Sequence, residues 1–343
     1  MKNLMLGIID ATTSFGGLQE LTMVRSLAAV PYGGRYRLID FALSNLVNSD
    51  VQSVAIFPKY QYRSLMDHLG SGKDWDLNRK RDGLFFFPPP FNTDKDHLAS
   101  VFHYMKFHKD YFYRSTQEYA VIVGSNTICN LNYKNVLKEH IETGADITRI
   151  FKGGRPLNMC ILKTSLLMEL IESPNNDPNS TLSDILDRFA RKLNVHHYEF
   201  SGYAVTIDTI QCYYKHSLDL LQPAIMKELF NPDNPIFTKV KDEPPTRYMS
   251  EAMVRNAQIA NGSIIEGHVE NSIIFRGVKI GKDAVVKNSI IMQKSQIEAG
   301  AYVDGAIIDK DVIIKKDVVI TGDASSPVVI QKGSSIQGEL MSS

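Results

Sequence analysis

Residues 5–9, MLGII, lead through a polar turn into residues 31–49, PYGGRYRLIDFALSNLVNS, and the reading of these two pieces decides the fold. A short apolar run closed by turn residues is the pattern of a buried parallel strand. The loop after such a strand is where α/β folds hold the phosphates of a nucleotide. Downstream, apolar residues at helical spacing predict a helix over 41–47, a strand over 51–57 and a second helix over 62–69. Strand, helix, strand in that order is the βαβ unit of a parallel sheet covered on both faces.

The same alternation continues with helices over 96–112 and 133–143, strands over 119–123, 146–151 and 157–162, and a helix over 182–193. Residues 71–94, with Gly72, the run Phe85-Phe86-Phe87 and three prolines, read as a long surface loop, and 195–207 as a strand or hairpin. A last helix is expected over 217–230, so that 1–228 form one α/β domain and 229–250, with Pro232, Pro235, Pro244 and Pro245, an extended linker. Then the grammar changes. β-Branched residues recur at Val269, Ile274, Ile280, Val286, Ile291, Ile297, Val303, Ile308, Ile314 and Ile320, in steps of 5, 6 and 6 that repeat three times as a 17-residue unit. That is the hexapeptide pattern of a parallel β-helix, with three strands per triangular coil, and it assigns 251–343 to such a module. A coil edge of that kind is a natural oligomer surface.

Lys plus Arg and Asp plus Glu number 38 each, so no global field attracts nucleic acid or a membrane surface. Three separated cysteines, Cys129, Cys160 and Cys212, suit free thiols in a reducing compartment, and no apolar stretch approaches the ~20 residues of a membrane helix. The expected location is cytoplasmic.

The stretch 31–49 resembles the P-F-G-G-K-Y-R-I-I-D-F-P-L-S-N-C-V-N-S motif of glucose-1-phosphate adenylyltransferases, or ADP-glucose pyrophosphorylases. Residues 58–69 (PKYQYRSLMDHL), 200–203 (FSGY), 234–238 (NPIFT) and Pro244-Pro245 carry further similarity; residues 84–193 match poorly. The resemblance implies a GT-A-like, Rossmann-like nucleotidyltransferase domain followed by a left-handed β-helix. It also implies a family reaction in which ATP and glucose 1-phosphate give ADP-glucose and pyrophosphate.

That chemistry needs backbone amides and cations around the triphosphate and carboxylates holding magnesium. The family's G-G-x-G-x-R-L loop aligns with Thr12, Thr13, Phe15 and, for the arginine, Gly17; Leu27 replaces the lysine of K-P-A-V. The metal aspartate of G-D-H-I-Y aligns with Asn126, and the second carboxylate, in G-Y-W-R-D-V-G-T, with Thr206. The nucleoside-contact segment aligns loosely with 96–101, and the sugar-phosphate lysine has no counterpart near Lys152. Loss of all these together resembles the regulatory, GlgD-type subunits of the family. No catalytic residue and no metal or other cofactor is therefore expected in this chain, and magnesium would serve a catalytic partner. The implied partner is a catalytic ADP-glucose pyrophosphorylase subunit in a hetero-oligomer, expected to be a tetramer, with a homo-oligomer as the state of the chain alone.

Family effector sites use cations near the β-helix junction to bind sugar phosphates. Arg25, Arg35 and Arg37 are the candidates here, with a solvated or structurally paired arginine as the competing reading, while Val24, Leu27 and Pro31 stand where lysine, lysine and histidine are often found. Asp40, Ser44 and Asn45 are expected to cap and pack the helix, and Asp10 to serve a turn. His196 and His197, adjacent in a strand, point to opposite faces and cannot share a metal. Core packing is expected for Trp75 and residues 85–87. The competing functions are a divergent active nucleotidyltransferase, a sugar-phosphate or sugar-nucleotide sensor, and an acyltransferase using His268.

Overall fold

The computed structural model describes residues 4–59, 61–89, 100–173, 181–189 and 192–341. In the first domain the strands are β1 (Met5–Ala11), β2 (Pro31–Tyr32), β3 (Tyr36–Arg37), β4 (Ser53–Pro58), β5 (Gly83–Phe86) and β6 (Tyr119–Gly124). They continue with β7 (Thr127–Cys129), β8 (Ile147–Lys152), β9 (Arg155–Lys163), β10 (Val195–Glu199) and β11 (Ala204–Thr206). Seven of them make one sheet in the order β10-β8-β9-β6-β1-β4-β5. All seven residues of β1 are buried, and its parallel register sets Ile9 beside Ile56 and Val123. The Leu38–Asn48 helix approaches β1 so closely that a Cβ on Gly7 would lie 3.0 Å from Leu46 Cδ1. Glycine is the residue that fits there.

Four departures from the sequence reading have local causes. β9 runs antiparallel to β6 and β8, because Gly153 and Gly154, both at positive φ, close a tight turn that cannot make a parallel crossover. The expected loop 71–94 contains β5, which pairs in parallel with β4 at the sheet edge; its aromatic run Phe85-Phe86 reads as strand once β4 supplies an edge. The expected hairpin over 195–207 is two strands in different sheets, β10 beside β8 and β11 antiparallel to β7. The last helix is in fact two, Ile210–Leu218 and Pro223–Leu229, parted by a 3-10 turn with Pro223 starting the second. The helix expected over 96–112 is described only from Val101, as Val101–Phe107 and Lys109–Tyr113; residues 96–99 of that helix and of the aligned nucleoside-contact segment lie outside the described residues.

From Arg247 the chain winds as a left-handed β-helix of three parallel sheets. Val269, Val286, Val303 and Ile320 stack one coil apart, all buried. Each corner uses a residue at positive φ: Asn271, Asn288 and Gly305 at one, Gly277, Lys294 and Asp311 at the second, Asp283, Gly300 and Asp317 at the third. Asn, Asp and Gly tolerate that conformation, so the small polar residues between branched ones are corner signals. Lys294 is the exception.

The β-helix lies against the first domain. Ile273, Phe275, Ile290, Met292 and Ile307 join one apolar cluster with Leu18, Leu21, Val30, Tyr32 and Phe41. The linker crosses the Leu38–Asn48 helix, where Ser44 Oγ accepts from the Phe237 N–H at 2.8 Å and Asn48 Nδ2 donates to the Pro235 carbonyl at 2.9 Å. Among the described residues no helix is long and apolar enough to cross a membrane.

Candidate functional site

The carboxyl edge of the sheet is where a nucleotide would lie, and here its groups bond one another. Asp10, at the end of β1, accepts from the Thr12 N–H at 2.9 Å and the Thr12 hydroxyl at 2.7 Å, a closed turn. Burial pushes its carboxyl up, and the Thr12 bonds oppose that shift. Lys59 Nζ donates to Ser14 Oγ at 2.8 Å, and burial lowers its pKa against the pull of Asp10. Thr13 is half-exposed beside them.

The loop that follows packs rather than opens. Gly17 sits in the 3-10 turn Gly16–Leu18, and a Cβ there would meet Thr209 Cγ2 at 3.2 Å and the Asp208 carbonyl at 3.3 Å. A larger residue needs the 208–209 segment to give way. Leu27, in the 3-10 turn Leu27–Ala29, is buried in the inter-domain cluster.

The two positions aligned with metal carboxylates carry other chemistry. Asn126, buried, donates through Nδ2 to the Ile207 carbonyl at 2.7 Å. A carboxylate has no proton to give that carbonyl. Thr206, in β11, faces Thr127 hydroxyl to hydroxyl at 3.3 Å. The amide and the hydroxyl at these two positions do not supply the carboxylates that would hold a magnesium ion.

A second cleft lies where the first domain, the linker and the β-helix meet. Of about 280 Å³, it is lined by Arg35, Arg37, Lys239, Lys241, Arg276, Lys294 and Lys310, against Asp67 and Asp311. Arg35 is held by the turn between β2 and β3, its guanidinium 5.4 Å from the Tyr36 ring centre. Arg37 Nη1 donates to the Ser64 carbonyl at 2.6 Å and hydroxyl at 2.9 Å, and burial lowers its pKa to about 10. Burial also lowers the pKa values of Lys241 and Arg276, and neighbouring cations push each the same way. So many cations facing one small volume repel one another, and an oxyanion relieves that repulsion.

Of the three expected arginines, the structure brings Arg35 and Arg37 to this cleft. Arg25 turns inward: its Nη1 pairs with Asp309 of the β-helix at 2.9 Å and donates to the Leu21 carbonyl at 3.2 Å, both side chains almost wholly buried. It follows the structurally paired alternative.

The sequence matches the nucleotidyl transferase family model over residues 17–156 and the GlmU-like, C-terminal hexapeptide model over 244–333. The glycogen biosynthesis protein GlgD of Bacillus subtilis (strain 168) is 51% identical over 343 residues, spanning 100% of this chain and 99% of that protein. This chain belongs to the GlgD family. The GlgD protein of Geobacillus stearothermophilus is 53% identical over the whole of both chains. The glucose-1-phosphate adenylyltransferase of Thermotoga neapolitana is 30% identical over 325 residues, spanning 82% of this chain and 77% of that enzyme. The GlgD family is thus related to those enzymes.

In this member of the GlgD family, motif reading found the two arginines and missed Lys239, Lys241, Arg276, Lys294 and Lys310. A signal existed for part of the set. Arg276, Gln293 and Lys310 occupy one position in successive 17-residue coils, so the repeat stacks them in a column at one corner. That this column faces Arg35 and Arg37 follows from how the two domains pack.

Proposed function

We propose that this chain is a non-catalytic regulatory subunit. In this reading it binds a catalytic glucose-1-phosphate adenylyltransferase in a cytoplasmic hetero-oligomer, expected to be a tetramer, and raises that partner's activity in glycogen synthesis. The observation that carries the reading is the bonding of Asn126 to the Ile207 carbonyl and of Thr206 to Thr127, where the related enzymes' motifs place carboxylates. Magnesium belongs to the partner's active site. Exposed Tyr248, Met249, Met253 and Val254 on the first coil, beside strands with a free edge, support an assembly surface on the β-helix. The subunit would act by binding the partner's active conformation better than its inactive one; a tenfold shift needs about 1.4 kcal/mol of differential affinity.

The cationic cleft favours a compatible second reading, a sensor of sugar phosphates that passes its occupancy to the partner. Co-expression with a catalytic paralogue, followed by purification through a tag on this chain and assay with ATP, glucose 1-phosphate and magnesium, tests the main reading. A mixed oligomer with higher turnover than the paralogue alone, and no turnover by this chain alone, is expected. An unchanged rate without co-purification refutes it.

A further inference from the structure

Lys310 is the third member of the Arg276–Gln293–Lys310 column and lines the cationic cleft, half-buried. The groups facing it come from every side: Arg35 and Arg37 from the β2–β3 hairpin, Asp67 and His68 from the Arg63–Leu69 helix, Lys239 and Lys241 from the linker, Arg276, Lys294 and Asp311 from the β-helix, and Arg25 from below. Asp67 and Asp311 are the carboxylates in the lining, outnumbered by its cations, and two further carboxylates close by have other partners. Asp309 pairs with Arg25 at 2.9 Å and accepts the Lys310 backbone N–H at 2.7 Å. Asp40 accepts from the Arg37 N–H at 3.0 Å and lies 2.5 Å from His68 Nε2. Lys310 therefore has a charged form that is partly desolvated and crowded by like charges.

We propose that a doubly charged oxyanion bound in this cleft is taken up together with one solvent proton, received by Lys310 Nζ, so that ligand affinity and pH are linked at the domain junction. This rests on the reading of the cleft as an oxyanion site. In the empty cleft, burial and then the Arg37 and Arg25 charges lower the Lys310 pKa to about 7, with Asp309 opposing. At pH 8 the amine is mostly neutral. A dianion among the cations reverses the local field and favours the ammonium, so the amine becomes ammonium as the oxyanion arrives and no bond but N–H forms. Affinity then strengthens as pH falls, by up to about tenfold per unit above pH 7, and levels off below it.

Sulfate is the suitable probe, because it stays a dianion from pH 6 to 9 and its own titration cannot imitate the effect. Titration calorimetry of the full chain at pH 8, in Tris and in Hepes, reads proton uptake from the difference in heats. Uptake approaching one proton per sulfate is expected at pH 8, falling toward zero at pH 6. In Lys310→Met, weaker binding with no uptake is expected. Should that variant fail to fold, Lys310→Arg, whose guanidinium stays charged, must bind sulfate without uptake. Equal heats in both buffers for the wild-type chain would overturn the proposal while leaving the oxyanion site standing. Uptake that persists in Lys310→Met would assign the proton to another group, such as His68, and also overturn it. No sulfate binding even at pH 6 would remove the oxyanion reading itself.

Discussion

Arg25 shows how far one side chain can depart from its motif. It stands in the stretch that resembles an anion-binding cluster, yet its guanidinium closes against Asp309 across the domain boundary. Breaking such a pair from one side leaves the other charge buried and alone, a loss of about 3–5 kcal/mol. Arg25→Ala is therefore expected to lower the urea midpoint strongly. Arg35→Ala, at an exposed hairpin tip, should leave that midpoint almost unchanged and weaken sulfate binding instead. Equal midpoints for the two variants would contradict the assignment of Arg25 to structure and Arg35 to ligand. The same distinction holds for Asn126: as an amide it supplies the donor the Ile207 carbonyl needs.

The Leu38–Asn48 helix is the element that joins the parts. At its start the Asp40 carboxylate accepts the Arg37 backbone N–H at 3.0 Å, satisfying one donor of the first turn. Asn45 then bridges to the β7 region, donating to the Cys129 carbonyl at 3.0 Å and accepting from the Leu131 N–H at 3.2 Å. Ser44 holds the linker on the opposite side. The expectation that Asp40, Ser44 and Asn45 cap and pack agrees with these contacts. Asn45→Ala would orphan two buried backbone groups at about 1–3 kcal/mol each, on the order of 3 kcal/mol together. Asn45→Ala is expected to lower the unfolding midpoint while leaving the cationic cleft's sulfate affinity within about twofold when measured well below that midpoint. Both readouts unchanged would show that the bridge bears no strain.

Across the molecule, the docking of two domains creates a group that neither would contain alone. With a folded-state pKa of about 7 against an ordinary 10.5, Lys310 binds fewer protons in the folded chain than in the unfolded chain between those two values. Stability therefore rises with pH through that window, and the charged lysine weakens the fold below it. Without polyvalent anions, the melting temperature is expected to climb from pH 7 to pH 9 more steeply in the wild-type chain than in Lys310→Met. Scanning calorimetry at matched ionic strength checks this, and parallel slopes would refute it. The same docking gives the proposed subunit a route from ligand to partner, because the cleft draws on the hairpin, the linker and the β-helix together.

The order of strands and helices near the N-terminus, the coil period and its corners were legible in the chain because each rests on a short-range rule. A continuous apolar run in a buried strand, 3.6-residue spacing in the 133–143 helix and glycine or a polar residue at each left-handed corner are local consequences of backbone geometry. Short-range rules failed where pairing decides: β5 needed β4 beside it, and β11 left its neighbour to join β7. Motif alignment likewise identified which chemical groups had been replaced, since residue identity suffices for that. It could not show that Asn126 would find a carbonyl, that Arg25 would turn to Asp309, or that a column of β-helix side chains would meet Arg35 and Arg37. Those outcomes join residues up to hundreds of positions apart, and they are decided by the packing of apolar faces that no local pattern records.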